Sequence, residues 1–175
     1  MRYRRADVAG GTYFFTVNLA DRSADTLVRH IDALRKSMAV VKAAHPFSLV
    51  AMVVLPEHLH AIWRLPSGDA DYPTRWALLK AGFSRQVEKG ERINSSRAGK
   101  RERELWQRRY REHQIRDKND LARHVDYIHF NPVKHGWAAR PVDWPHSTVH
   151  GSIERGMMSR DWGGNGAADG DYGER

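Results

Sequence analysis

The sequence contains no cysteine, which excludes disulfides, thiolate metal sites and catalysis by a thiol. It also lacks any apolar run approaching the roughly 20 residues of a membrane-spanning helix. Its first residues, MRYRRADVAGG, have no apolar centre of the kind found in signal peptides. We therefore expect a protein that has no membrane partner and works in the cytoplasm, associated with the nucleoid.

Acidic residues are scarce relative to basic ones, with 21 Asp and Glu against 29 Lys and Arg and a net charge of +8. From Gly156 onward two arginines face four acidic residues, a net of −2, so residues 1–155 carry +10. Such a basic body predicts a polyanionic partner, most commonly nucleic acid. We expect one domain over residues 1–155 and a disordered, glycine-rich tail over residues 156–175.

Hydrophobic periodicity predicts four strands and three helices. Strands are expected within residues 10–20, 47–56, 58–65 and 105–116, and helices within residues 21–46, 71–90 and 117–131. The first helix is expected to begin at Asp21 or Ser23, and the third at Asp117 or Asn119. This order predicts an α+β domain with a ferredoxin-like antiparallel sheet flanked by helices.

Two histidines, His58 and His60, lie one residue apart in the apolar stretch VVLPEHLHAIWRLP, residues 53–66. Alternate residues of a strand project from the same face, so both imidazoles could bind one divalent ion. Histidines at this spacing also occur on ordinary strand faces, and the pair supplies only two ligands. The motif by itself indicates a metal site without establishing one.

The third helix offers a further ligand. Tyr127 and Asn131 are four residues apart and share one helical face, which directs a phenol and an amide oxygen toward the same point. Each residue has an ordinary alternative, because Asn131 could cap the helix and Tyr127 could be a packing residue.

Together these four residues suit the cleavage of a phosphodiester. A phenol is a poor nucleophile unless a Lewis acid or a base assists it. An ion held by two imidazoles and an amide could polarise the phosphodiester and stabilise the developing charge. Mg²⁺ and Mn²⁺ suit a phosphate substrate, and Mn²⁺ is the better match to imidazole. The expected product is a 5′-phosphotyrosyl link beside a free 3′-hydroxyl.

The pair His58 and His60 followed by Tyr127 and Asn131 resembles the HUH superfamily of single-strand DNA nucleases. Longer blocks resemble one branch of it, the REP-associated tyrosine transposases, where REP denotes a repetitive extragenic palindrome. The resemblance spans about residues 3–150 and rests on five blocks in order: YRRADVAGGTYFFTVNL, LPEHLHAIWRLP, WQRRYREHQIRD, YIHFNPVKHG and DWPHST.

This resemblance implies a ferredoxin-like fold with the histidines on a central strand and the tyrosine on a following helix. It implies that His58, His60 and Asn131 bind Mg²⁺ or Mn²⁺ and that Tyr127 is the nucleophile. It also implies cleavage and rejoining of single-stranded DNA at REP hairpins. Glu57 stands where an asparagine or a similar residue is expected, and it would add an acceptor near the ion.

Cations and aromatic residues alternate in RAGKRERELWQRRYREHQIR, residues 97–116. Single strands are bound by cations along the backbone and by aromatic faces against the bases. DNA contacts are predicted for the following basic residues: Arg108, Arg109, Arg111 and Lys134. The resemblance adds Arg4 and Arg5 of the N-terminal arm, beside the hairpin.

Several alternatives stay open at this stage. A rolling-circle nickase usually has lysine four residues after the tyrosine, where this chain has Asn131 and places Lys134 three residues later. A relaxase would use a tyrosine near the N-terminus, Tyr3 or Tyr13. A protein that binds REP hairpins without cutting them, and a zinc hydrolase, are further possibilities. A monomer is favoured over a homodimer.

Overall fold

The computed structural model describes residues 7–90, 103–164 and Tyr172. Four antiparallel strands form its sheet in the order β2-β3-β1-β4. They are β1 (Thr12–Asn18), β2 (Ser48–Val54), β3 (His58–Arg64) and β4 (Arg111–Gln114). The helices are α1 (Thr26–Arg29), α2 (Ile31–Ala44), α3 (Tyr72–Gln86), α4 (Lys118–Lys134) and α5 (Val149–Glu154), with a 3₁₀ turn at Pro141–Asp143. The predicted α+β class and the ferredoxin-like sheet are confirmed.

Each face of the sheet has its own apolar core because side chains alternate along the strands. On the face covered by α2 and α3, Trp63 of β3 stacks on Trp76 of α3 with ring centroids 4.1 Å apart. On the opposite face, Phe14 of β1 and Ile62 of β3 pack with Ile128 of α4. β1 and β3 are the central strands, so residues on them are shielded on both faces.

The segment predicted as one long helix from Asp21 or Ser23 is two helices, α1 and α2, interrupted at His30 (φ −112°, ψ 36°). Neither expected cap is used, because the Asp21 carboxylate accepts hydrogen bonds from Ser23 instead. The backbone N–H of Leu27 donates to the carbonyl of Pro56, at the turn between β2 and β3. This bond and the complete burial of Leu27 draw α1 toward the hairpin and break the continuous helix.

The two longer helices beyond the hairpin begin at side-chain caps. The Asp71 carboxylate accepts from the N–H of Thr74 at the start of α3, and Asp117 accepts from the N–H of Asp120 at the start of α4. Asp117 is therefore the cap that the sequence left undecided. α4 continues through Pro132 to Lys134 and ends before Gly136, whose φ of 73° suits glycine.

Some predicted features fall outside the described residues. These are the basic arm with Arg4 and Arg5, most of the charged segment 91–104, and residues 165–171 and 173–175 of the tail. Of the tail, the structure describes residues 156–164 and Tyr172. Within the described ranges, none of the helices has the length and apolar character needed to cross a bilayer.

Candidate functional site

Strand β3 holds the two histidines side by side, and both side chains are fully buried. His60 stands opposite Thr16 of β1, and His58 stands opposite Asn18. The imidazole centroids are 5.0 Å apart, with their planes at 81°. Both rings project from the sheet face that α4 covers, so two potential ligands share one location.

Helix α4 presents one residue per turn to this pair. The ring of Tyr127 lies edge-on to His60 with centroids 5.2 Å apart, and the ring of His135 lies 5.2 Å from that of His58. Asn131 is fully buried and lies midway between them on the same helical face. The last two turns of α4 and the residue that follows them, His135, thus lie along the histidine pair, and Asn131 lies between Tyr127 and His135.

Hydrogen bonds from neighbouring residues fix which nitrogen of each histidine carries its proton. Nδ1 of His58 lies 2.8 Å from Oε1 of Glu57, a carboxylate that can only accept, so this nitrogen donates. Nδ1 of His60 lies 2.9 Å from the Thr16 hydroxyl, whose single hydrogen is donated to the carbonyl of Tyr172 at 2.6 Å. Nδ1 of His60 therefore donates as well, and in both histidines the nitrogen without a proton is Nε2.

The surroundings keep His60 neutral and Glu57 charged. Burial, reinforced by the positive charges of Lys134 and Arg22, lowers the pKa of His60 well below its usual range. Burial raises the pKa of Glu57, but the hydrogen bond from His58 and the charge of Arg22 outweigh it, so that its pKa is lowered. A neutral imidazole is the form that binds metal ions.

These residues fit a divalent ion. Nε2 of His58 is buried and has no hydrogen-bond partner within the part of the chain that the structure describes. A buried polar atom in this state is costly unless a ligand satisfies it. Together with Nε2 of His60 and the amide of Asn131 it would provide two nitrogens and one oxygen. That these three residues bind a metal stays a prediction.

The phenol of Tyr127 is enclosed by other side chains and is 1% exposed. Nζ of Lys134 lies 3.2 Å from the phenol oxygen and 4.8 Å from the ring centroid. The ring of Tyr172 stacks on that of Tyr127 at 3.7 Å, and Phe14 packs edge-on at 6.1 Å. An ammonium group therefore stands at the oxygen where negative charge would develop during attack.

The other predicted DNA contacts lie at the edge of the sheet. Arg108 and Arg109 precede β4, Arg111 is its first residue, and all three side chains are exposed. β4 pairs only with β1 within the described sheet, with Arg111 opposite Thr16. A basic edge thus borders the strand that supports His60. Arg4 and Arg5 lie outside the described residues, and Lys134 contacts Tyr127.

Two residues of this site, Thr16 and Tyr172, were not identified from the sequence, whereas His135 had a readable signal, since it follows Asn131 by one turn on the same face. Thr16 had none, because its contact with His60 depends on the register between β1 and β3. Tyr172 had none either, since it lies in a segment predicted to be disordered and packs on α4 from the far end of the chain.

Comparison with known proteins gives a consistent result. No family model matches the chain. The chain is 43% identical over 163 residues to the REP-associated tyrosine transposase of Escherichia coli strain K12, covering 93% of this chain and 91% of that protein. A Haemophilus influenzae protein of the same family name is 44% identical over 164 residues, covering 93% of each. A solved structure of a REP-associated tyrosine transposase bound to a REP hairpin superposes with a TM-score of 0.86 at 42% identity, covering 100% of this chain and 98% of that one.

Proposed function

Since the chain belongs to the REP-associated tyrosine transposases, we propose that it cleaves and rejoins single-stranded DNA beside REP hairpins through a 5′-phosphotyrosine intermediate. The observation that carries this proposal is the contact between the rings of Tyr127 and His60, 5.2 Å apart. These residues are separated by 66 others in the sequence. The proposal is supported by this close approach of the Tyr127 phenol to the histidine pair.

In the proposed reaction, Oη of Tyr127 forms a bond to phosphorus while the bond from phosphorus to the 3′-oxygen breaks. The phenol gives up its proton to solvent and the leaving 3′-oxygen takes one up, so the step needs no oxidant and no net proton. Attack by a free 3′-hydroxyl on the phosphotyrosine reverses these bond changes and joins two strands. The ammonium of Lys134 stabilises the phenol oxygen as it becomes negative.

The ion proposed for this site is Mg²⁺ or Mn²⁺, held by Nε2 of His58, Nε2 of His60 and the amide oxygen of Asn131. When bound, it supplies Lewis-acid stabilisation of the charge on the phosphate. Glu57 and Thr16 accept the Nδ1 protons of His58 and His60 and so leave the two Nε2 atoms without protons. Residues that hydrogen-bond to metal-binding histidines commonly have this effect. The proposal is supported by the buried Nε2 of His58, which has no other partner among the described residues.

The site is complete within one chain, which supports a monomer. Tyr127 contacts His60 of its own chain, and the sheet that carries the histidines is built from that same chain. We propose that the monomer works at the nucleoid in the cytoplasm, with the exposed arginines Arg108, Arg109 and Arg111 binding the backbone of the DNA.

One observation favours a second candidate, a protein that binds REP hairpins without cutting them. Tyr172 stacks on Tyr127 and leaves the phenol almost inaccessible. A scissile phosphate reaches Tyr127 only after Tyr172 has moved away. If Tyr172 stays in place when DNA is bound, the chain binds hairpins and does not cleave them. A rolling-circle nickase remains the third candidate, with Lys134 in the place of the helical lysine.

The test uses a labelled REP hairpin with a single-stranded flank, incubated with the full chain and either Mn²⁺ or Mg²⁺. A covalent adduct on a denaturing gel that requires metal and is absent in Tyr127→Phe is the expected result. Tyr13→Phe is the matched control, because the Tyr13 hydroxyl bonds only to the backbone of Val8 in the described residues. Tight binding without adduct in wild type and in Tyr172→Ala would establish the binding protein. An adduct that survives in Tyr127→Phe would exclude Tyr127 as the nucleophile.

A further inference from the structure

A second group of ligand-type side chains lies where β4 meets the start of α4. It consists of His113 on β4 and of Asp120 and His124 on the first two turns of α4. One ligand atom from each residue lies within 4.8 Å of the others. We name these three residues the His–Asp–His cluster.

The carboxylate of Asp120 is the centre of this cluster. Nε2 of His113 lies 2.8 Å from Oδ2, and Nδ1 of His124 lies 3.2 Å from Oδ1. The two imidazoles stack with their centroids 4.7 Å apart and their planes at 12°. Ligand atoms bound to one ion at about 2.0–2.2 Å are separated by roughly 3 Å, so the three side chains are already close to the spacing that an ion requires.

The cluster is separate from the histidine pair of β3. The ring of Phe14 stands between them, 4.8 Å from the ring of His124 and 5.4 Å from that of His60. Asp120 and His124 are buried, whereas the side chain of His113 is 29% exposed. An ion can therefore enter from solvent on the His113 side without passing through the proposed catalytic site.

We propose that His113, Asp120 and His124 form a second metal site, which takes a divalent transition metal such as Zn²⁺. Two imidazoles and one carboxylate are ligands that these borderline ions prefer over Mg²⁺. The ion takes the place of the protons that now link Asp120 to the two rings. Each ring binds it through that nitrogen and carries its one proton on the other nitrogen, so no proton is lost overall.

Other groups that contact Asp120 are compatible with this exchange. The backbone N–H of Arg116 donates to Oδ2 of Asp120 at 3.0 Å and holds the carboxylate in place. Hydrogen bonds of this kind orient carboxylates that bind metals. The guanidinium of Arg123 lies 3.6 Å from Oδ1, but its side chain is 70% exposed and free to turn into solvent. Nδ1 of His124 also lies 2.8 Å from the carbonyl of Asp120, a bond that the neutral ring gives up when this nitrogen becomes a ligand.

A bound ion would join β4 directly to α4, the helix that carries Tyr127 and Asn131. The site can be measured apart from the catalytic proposal because none of its three ligands lies on β3. We therefore choose the tag-free full chain with His58→Ala and His60→Ala, stripped with chelator, as the protein for the test. The probe is Zn²⁺, and its binding is measured by titration calorimetry in two buffers of different ionisation enthalpy.

We expect one equivalent of Zn²⁺ to bind this double variant without net proton release, so that the binding enthalpy is the same in both buffers, and to raise its melting temperature. Adding His113→Ala or Asp120→Asn should weaken Zn²⁺ binding strongly. Loss of a residue that only orients a metal ligand costs about 10–100-fold in affinity, and loss of a ligand itself should cost at least as much. His113 is the most exposed of the three residues, so His113→Ala removes the least buried side chain, and circular dichroism checks the fold of the variant. His30→Ala, at the junction of α1 and α2, is the matched control and should leave binding unchanged.

Two results would overturn the proposal. One is the absence of a Zn²⁺ equivalent in the double variant, which would mean that the cluster only tethers α4 to β4 by hydrogen bonds. The other is binding that persists unchanged in both His113→Ala and Asp120→Asn. Co²⁺ in place of Zn²⁺ gives an independent reading, since its visible absorption should show a nitrogen- and oxygen-bound ion that disappears in the same variants.

Discussion

Replacing Glu57 by alanine removes the acceptor that holds the Nδ1 proton of His58, 2.8 Å from Oε1. The ring itself stays buried, with its neighbours on β1 and α4 unchanged. Without the carboxylate the proton is no longer confined to Nδ1, and the tautomer that carries it on Nε2 becomes accessible. That second tautomer cannot bind a metal through Nε2. The proposed Mn²⁺ site should therefore weaken although none of its ligands has been changed.

The size of the effect follows from the role of Glu57, which would orient a metal ligand without touching the ion. Removing the partner that orients a metal-bound histidine costs about 10–100-fold in affinity, which corresponds to roughly 1.4–2.7 kcal/mol. The value should lie toward the upper end, because the His58 ring is fully buried and water is poorly placed to replace the carboxylate. The lowered pKa of Glu57 means that the carboxylate is ionised at neutral pH, where the measurement is made.

The assay is titration of the full chain with Mn²⁺ by calorimetry at pH 7. Glu57→Gln keeps an amide oxygen that accepts the same hydrogen bond, so it should lose much less affinity than Glu57→Ala. Asp32→Asn, an exposed carboxylate on α2, controls for the change in net charge. If Glu57→Gln binds Mn²⁺ as weakly as Glu57→Ala, charge rather than orientation is responsible and the tautomer argument fails. Unchanged affinity in Glu57→Ala would remove Glu57 from the site altogether.

The remaining predictions concern the nucleophile, a buried histidine and the core. Lys134→Met removes the cation 3.2 Å from the Tyr127 phenol oxygen. Formation of the covalent adduct in a single turnover should then slow about 3–10-fold, the size of effect expected from losing a partly solvated charged hydrogen bond. Lys134→Arg keeps the charge and should retain most of the rate. Burial, with the charge of His150 adding to it, lowers the pKa of His129 to about 4 from 6.5. The unfolded chain then binds a proton on this ring that the folded chain does not bind, so His129 should lower the free energy of unfolding by up to about 3 kcal/mol as the pH drops from 6.5 to 4. His60 and His135, whose pKa values are also lowered, add to the same slope, so His129→Gln should reduce the slope in urea titrations without abolishing it. Trp76→Ala, which removes a fully buried ring stacked on Trp63, should cost about 3–5 kcal/mol in the same titrations.

The features that the sequence predicted are those carried by local periodicity. Alternation along β3 placed His58 and His60 on one face, and the step of four residues placed Tyr127 and Asn131 on one side of α4. Both placements depend only on strand and helix geometry. The cap at Asp117 likewise follows from a side chain and a backbone N–H three residues apart.

The features that the sequence did not predict depend on contacts between distant segments. The interruption at His30 follows from the bond between Leu27 and Pro56, which no helical periodicity reveals. The partner of His60 is set by strand register, and Tyr172 joins segments far apart in the chain, since its ring stacks on Tyr127 and its carbonyl accepts from Thr16. Tertiary packing determines such contacts, and local propensity carries no information about them.

The pairing of β4 with β1 also determines how late in synthesis the sheet can be completed, because β1 lacks this neighbour until Arg111 has left the ribosome. Thr16 pairs with Arg111, and Tyr127 follows on the next helix. A nascent chain that has reached only the middle of the sequence already holds His58 and His60 but lacks the proposed nucleophile. In the proposed mechanism, strand cleavage is therefore impossible until nearly the whole domain has been synthesised, and a truncated product that ends before Tyr127 would not cleave DNA.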